Sequence, residues 1–192
     1  MKTVLYVNAC VTRNVASRTH RLAQAYLDKR CNDCRIETVV LEQLSLTPLT
    51  GEGLAEREEA IRTGDFSNPT FALARSFAAA DEVVIAAPYW DMSFPALVKL
   101  YLEQLCVNRL TFQYDETGRP RGLVNVKKVV YITTSGGPIG EANLGFDYVK
   151  ALFSKLFEVT DFAFFSAEGL DIYGNNPEAI LATAIKTIHA AE

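Results

Sequence analysis

Three short runs of uninterrupted apolar residues constrain this chain most: Val4-Leu5-Tyr6-Val7, Val83-Val84-Ile85-Ala86-Ala87 and Val129-Val130-Tyr131-Ile132. A strand that is apolar on both faces needs cover on both faces, as a central strand of a parallel sheet has. Ile36 to Leu41 alternates more, with Glu37 beside Ile36, and reads as an edge strand. Phe162 to Ser166 supplies a fifth, aromatic-rich strand. Helical spacing fills the intervals. Thr19, Leu22, Ala23 and Tyr26 lie at i, i+3, i+4 and i+7, one face of a helix. Leu97, Leu100, Tyr101 and Leu105 form a second stripe with Pro95 in its first turn, and Val149, Leu152, Phe153 and Leu156 a third. Asn176 followed by Pro177 marks the start of a last helix, with Ile180, Leu181, Ala184, Ile185 and Ile188 as its buried face. A weaker helix covers Asn68 to Ala79.

This alternation predicts an α/β fold: a doubly wound, five-stranded parallel sheet with helices on both faces and right-handed crossovers. The length of 192 residues fits one domain spanning 1–192. Two stretches interrupt the pattern. Glu42 to Asn68, polar and charged, reads as a surface loop, and Asn108 to Asn125 as a small excursion or hairpin.

Several function classes drop out. A net charge of −4 gives no cationic footprint for nucleic acid or an anionic membrane. The longest apolar run, Val83 to Trp90, is far short of the about 20 residues that span a bilayer. The opening MKTVLYVNAC reads as a first strand and not as a secretory signal. Four cysteines make no disulfide framework, so a reducing cytoplasm is expected. Cys31-Asn32-Asp33-Cys34 is a CxxC, but Cys10 and Cys106 are not spaced to complete a zinc site, and no metal is expected. His20 reads as a surface or partner contact and His189 as solvated; Glu56-Arg57-Glu58-Glu59 reads as a solvated helix face.

In open parallel sheets ligands bind beyond the carboxyl ends of the strands, where the strand order reverses. The loop after the first strand has no glycine, which removes the GxGxxG and GxxxxGK[ST] phosphate loops. It ends instead in Ser17-Arg18-Thr19, where the first helix begins, and residues 3–27 contain no Asp or Glu. A helix N-terminus with two hydroxyls and a guanidinium suits a terminal phosphate without metal; Ser17 equally serves as an ordinary N-cap. The loop Pro88-Tyr89-Trp90-Asp91-Met92-Ser93-Phe94 gathers large apolar side chains that need cover, from a flat aromatic ligand, a partner subunit or both. Thr134-Ser135-Gly136-Gly137 lets a ligand approach the backbone closely, or makes a tight turn. Together the three loops suit a phosphorylated, flat, redox-capable ring such as FMN.

The same segments carry a resemblance. Ser17-Arg18-Thr19 with Leu22, Ala87 to Met92 followed by Lys99, the excursion from Phe112-Gln113-Tyr114 to Gly122-Leu123-Val124, Thr133 to Gly137, and Ala167-Glu168-Gly169 with Tyr173-Gly174 fall in one order and spacing. In these the chain resembles the flavodoxin-like, FMN-dependent NAD(P)H:quinone oxidoreductases, and most closely the FMN-dependent NADH azoreductases. The resemblance implies a homodimer with FMN in a site at the subunit interface. It also implies hydride transfer from NADH or NADPH to the flavin, then two-electron, ping-pong reduction of a quinone or azo compound. Carried over by position, Cys10, Ser17, Arg18 and Thr19 would hold the phosphate. Pro88, Tyr89, Trp90, Asp91 and Met92 would line the isoalloxazine, and Thr134, Ser135, Gly136 and Gly137 would close its other side. No side chain is expected to act as catalytic acid or base. The family often has Asn where Asp91 stands, Ser where Cys10 stands, and His near Pro138 and Ile139. A carboxylate facing a reduced flavin would destabilise its negative charge, so Asp91 is expected to turn away or to leave the flavin potential low. The alternatives are a non-enzymatic, flavodoxin-type electron carrier, against which the mild charge and long excursions count, and a receiver-like signalling module. Asn8-Ala9-Cys10 lacks the carboxylates a receiver needs.

Overall fold

The computed structural model describes residues 1–11, 17–30, 34–141 and 143–191. Five strands, β1 (Lys2–Asn8), β2 (Cys34–Val40), β3 (Glu82–Ala86), β6 (Lys128–Thr134) and β7 (Asp161–Ala167), form one sheet in the order β2-β1-β3-β6-β7. Every pairing in it is parallel. A two-stranded antiparallel hairpin, β4 (Phe112–Tyr114) and β5 (Pro120–Gly122), occupies the second interruption. The chain first winds from β1 outward to β2, then crosses back to β3 and winds the other way. The order therefore reverses between β1 and β3.

The continuous apolar runs are explained by what covers them. On one face, Val4, Tyr6, Val84, Ala86, Val130 and Ile132 pack under α1 (Arg18–Arg30) and α6 (Pro177–Ala190). On the other, Leu5, Val7, Val83, Ile85, Val129 and Tyr131 pack under α3 (Ala72–Ala79), α4 (Ala96–Leu105) and α5 (Leu144–Phe157). Successive side chains alternate faces, so only an unbroken apolar run serves both cores. The Asn176 side chain accepts the N–H groups of Glu178 and Ala179, capping α6 as the Asn-Pro pair predicts. Asn68 caps a single 3₁₀ turn (Pro69–Phe71) that leads into α3.

Four expectations need correction. Glu42 to Asn68 is not simply a loop, because it carries α2 (Gly51–Thr63), which closes on Gly64 at φ 74°. Arg57 on that helix is 4% exposed and not solvated. Its guanidinium donates to the carbonyls of Cys106 (2.8 Å) and Glu103 (3.3 Å) at the end of α4. His20 is half-buried, its Nδ1 2.8 Å from the buried Tyr6 hydroxyl, rather than a surface contact. The α4 stripe is also turned by one position: Val98, Tyr101, Leu102 and Leu105 are buried, while Leu97 and Leu100 are only half-buried. Cys31 of the CxxC lies outside the described residues, and the Cys34 thiol faces the Arg30 carbonyl at 3.3 Å. Among the described residues no helix is long and apolar enough to cross a membrane, and no cluster of His, Cys, Asp or Glu is arranged for a metal.

Candidate functional site

The strand order reverses between β1 and β3, so the crevice at their carboxyl ends is where the topology leaves room for a ligand. The Ala9 N–H extends the β1–β3 ladder by donating to the Ala86 carbonyl (2.9 Å), and the Asn8 side chain accepts the Cys10 N–H (3.0 Å). Cys10 is buried; burial pushes its thiol pKa up, and a hydrogen bond with Ser17 pulls the other way. Ser17 caps α1, its hydroxyl oxygen accepting the His20 N–H at 3.3 Å. That bond uses an oxygen lone pair, and the hydroxyl proton is free to turn to the Cys10 sulfur. The first turn of α1 holds no acidic residue.

Arg18 and Thr19 diverge from this cap. Thr19 is 1% exposed, and its hydroxyl lies 2.5 Å from that of Thr134 at the end of β6. Arg18 forks onto Asp171, Nη1 to Oδ1 at 2.9 Å and Nη2 to Oδ2 at 3.2 Å, and also reaches the Leu170 carbonyl (3.3 Å). The guanidinium holds the Asp171 carboxyl below the usual carboxylate range.

After β3, Pro88 and Tyr89 are half-buried, and the Tyr89 N–H donates to the Thr134 carbonyl at 3.0 Å. Trp90 and Ser93 then exchange both main-chain hydrogen bonds, 3.0 and 2.8 Å, around a two-residue tip. The tip residues Asp91 and Met92 have φ of 49° and 67°. Trp90, Asp91 and Met92 are exposed, so the Asp91 carboxylate stands in solvent. Phe94 leaves the turn and packs edge-on against Tyr148 of α5, ring centroids 5.9 Å apart.

After β6, Thr134 and Ser135 are buried. Gly136 and Gly137 use their carbonyls to hold the loop after β7, accepting the N–H groups of Asp171 (3.0 Å) and Gly169 (3.2 Å). Their own N–H groups donate to no backbone carbonyl among the described residues. A Cβ on Gly136 would come within 2.6 Å of Asp171 Oδ2, whereas one on Gly137 would meet nothing within 4 Å. Glu168 completes this rim by accepting the Ile139 N–H and the Ser166 hydroxyl, each at 2.8 Å.

The fold thus brings the three loops to one sheet edge, with Thr134 touching the other two. Sequence reasoning missed Asp171, and it carried Glu168 only within the segment Ala167-Glu168-Gly169, with no role assigned to it. Their loop follows the last strand, and topology alone gives no reason to assign either of them a contact among its polar residues. Two grooves, of about 350 Å³ along β7 and α6 and about 480 Å³ beside α2 and α3, are lined by none of the expected cofactor residues.

A family model described as flavodoxin-like fold matches residues 2–191. An FMN-dependent NADH:quinone oxidoreductase of Clostridium acetobutylicum is 34% identical over 97% of this chain and 96% of its own. One from Coprothermobacter proteolyticus is likewise 34% identical, over 97% and 96%. Among solved structures, an azoreductase from Bacillus anthracis superposes with a TM-score of 0.83 at 22% identity, covering 99% of this chain and 98% of that one.

Proposed function

Since the chain belongs to the family of flavodoxin-like fold, we propose that it is an FMN-dependent oxidoreductase that moves hydride from NADH to a quinone or azo compound. Residues 1–192 work as one domain in this assignment. The observation that carries it is Thr134: its hydroxyl meets the α1 cradle through Thr19 and its carbonyl holds the aromatic loop through Tyr89, 2.5 and 3.0 Å away. One residue at the end of β6 therefore sets the spacing between a phosphate cradle, an aromatic ledge and a glycine wall.

The chemistry of the donors fits FMN. Ser17 offers a hydroxyl donor in exchange for its contact with Cys10, the uncapped N–H groups of α1 offer a positive helix end, and no carboxylate stands in that first turn. Thr19 contributes through its main chain, because its hydroxyl is committed to Thr134. Gly137 leaves open space that a side chain would fill. When bound, FMN would supply the two-electron hydride chemistry between nicotinamide and acceptor. The protein's part is to orient and to tune. Gly136 and Gly137 present N–H donors for negative charge that gathers on reduction. In the aromatic loop the N–H groups of Tyr89 and Trp90 are already engaged, which leaves those of Asp91 and Met92 to meet the ring edge. Pro88, Tyr89, Trp90 and Met92 supply the flat apolar surface. No side chain acts as an acid or base.

A second copy of this chain covers the exposed part of the rim, giving a homodimer. The cytoplasm is the compartment in which the free thiols of Cys10 and Cys106 stay reduced. The test is direct. Protein incubated with FMN and passed through a desalting column should stay yellow and oxidise NADH only when a quinone is present. Yellow protein without turnover would make it an electron carrier, and colourless protein would overturn FMN binding itself.

A further inference from the structure

Arg18 opens α1 at the cradle, but its guanidinium is already engaged. It is forked onto Asp171 through two bonds, 2.9 and 3.2 Å, and the carboxylate oxygen that takes the second is the one lying against Gly136. The main chain fixes Asp171 there, since the N–H groups of Leu170 and Asp171 donate to the carbonyls of Ser135 (3.1 Å) and Gly136 (3.0 Å). A single carboxylate thus bridges the cradle and the glycine wall. The neighbouring acid, Glu178, is held by its own fork from Arg21, 2.9 and 2.8 Å. Asp171 is therefore the negative charge set directly against Arg18. The two side chains are 37% and 63% exposed, so water can take either partner and the pair is readily broken.

We propose that Asp171 is a built-in competitor for the flavin phosphate and sets how strongly the site prefers a phosphorylated to an unphosphorylated flavin. This rests on the FMN assignment above. A phosphate dianion has more charge and more acceptor oxygens than a carboxylate, so it can take the guanidinium fork. To do so it must displace Asp171 and then sit near a like charge. A flavin without phosphate meets neither penalty. A small anion has no ring to lay on the aromatic ledge and gains too little to displace the carboxylate. Asp171 thereby keeps simple anions out while admitting a ligand gripped at both ends.

The experiment compares FMN with riboflavin by quenching of flavin fluorescence at low salt. It uses the wild-type chain, Asp171→Asn, Asp171→Ala, Arg18→Gln and the double variant Arg18→Gln with Asp171→Asn. Thermal unfolding checks that each variant folds. Both Asp171 variants should bind FMN roughly 3- to 5-fold more tightly, the scale of one exposed ion pair, with riboflavin affinity unchanged. The gain should fall in the Arg18→Gln background, where only the repulsion between like charges is left to relieve, and shrink as salt is raised. Unchanged or weaker FMN binding in the Asp171 variants, or an equal change for riboflavin, overturns the proposal. A wild-type chain that binds neither flavin overturns the FMN assignment, and this proposal with it.

Discussion

Asp91 and Met92 show what single residues do at this site. Both central residues of a two-residue turn have positive φ, the sign pattern for which Asn-Gly is the favoured pair. Asp tolerates that region because its short side chain bonds locally, but Met gains nothing there and costs about 1 kcal/mol. Met92→Gly should therefore raise the stability of the FMN-free protein by about 1 kcal/mol in urea denaturation. No gain would mean that the lost thioether contacts matter as much as the strain. Asp91 bears on the flavin differently. Its carboxylate is exposed, so it acts through a well-screened charge. Asp91→Asn should raise the two-electron flavin potential by only about 20 mV, equivalent to about 1 kcal/mol, in a dye-equilibration titration. A larger rise would mean that the carboxylate approaches the flavin. The positions of these residues were legible, since a Tyr-Trp-Asp-Met run after a buried strand has to lie at the mouth of the crevice. The turn was not, because the loop from Pro88 to Pro95 contains no glycine to announce positive φ. The commitment of Thr19 to Thr134 was equally hidden, as a hydroxyl after an N-cap reads as available until its burial is known.

At the scale of elements, the hairpin shows how an excursion is fastened. Gly122 on β5 lies so close to the end of α5 that a Cβ would stand 2.2 Å from the Phe157 carbonyl oxygen and 2.6 Å from its carbon. The Gly122 N–H and Arg121 both bond Glu158 at 3.1 Å, and Arg121 also reaches Asp115 at 3.1 Å. Gly122→Ala should push the hairpin off this helix end and destabilise the protein by about 2–3 kcal/mol, measured by chemical denaturation. An effect below about 0.5 kcal/mol would mean that the backbone yields freely there. The hairpin itself was legible as an excursion between Phe112-Gln113-Tyr114 and Leu123-Val124, although its second strand is Pro120–Gly122 and not the later run. α2 was not. Its charge run Glu56-Arg57-Glu58-Glu59 presents three residues to water, and this masks the one that turns inward. Arg57 belongs inside because the last carbonyls of α4 need donors and a cation suits that end of a helix. Burial still lowers its pKa, so the carbonyls offset its desolvation only in part.

Over the whole molecule, the sheet order follows from which apolar runs are continuous and which alternate, and the site follows from where that order reverses. What no strand or helix pattern conveys is how loops from distant strands meet, and so the Arg18–Asp171 pair appears only once β7 is placed beside β6. The same convergence leaves an apolar surface. Trp90 and Met92 are 47% and 51% exposed, and Leu144 and Tyr148 are 53% and 38% exposed. They belong to one face, because Phe94 packs on Tyr148 and a Cβ on Gly145 would lie 3.3 Å from Ser93 and 3.4 Å from Phe94. An aromatic and methionine surface of this kind is costly in water and marks a contact site. In the proposed homodimer a second copy covers it, and Leu144 is the position to test because it lies on the face without belonging to the expected flavin contacts. Leu144→Glu should convert a dimer, measured by light scattering after gel filtration, to a monomer, since an unpaired carboxylate cannot be buried between two apolar faces. A wild-type chain that elutes as a monomer would remove the dimer, and the aromatic ledge would then depend on the flavin alone for cover. If the variant is monomeric and still keeps FMN, the cofactor site is complete within one chain. If it loses FMN together with the partner, the second copy forms part of the site's wall.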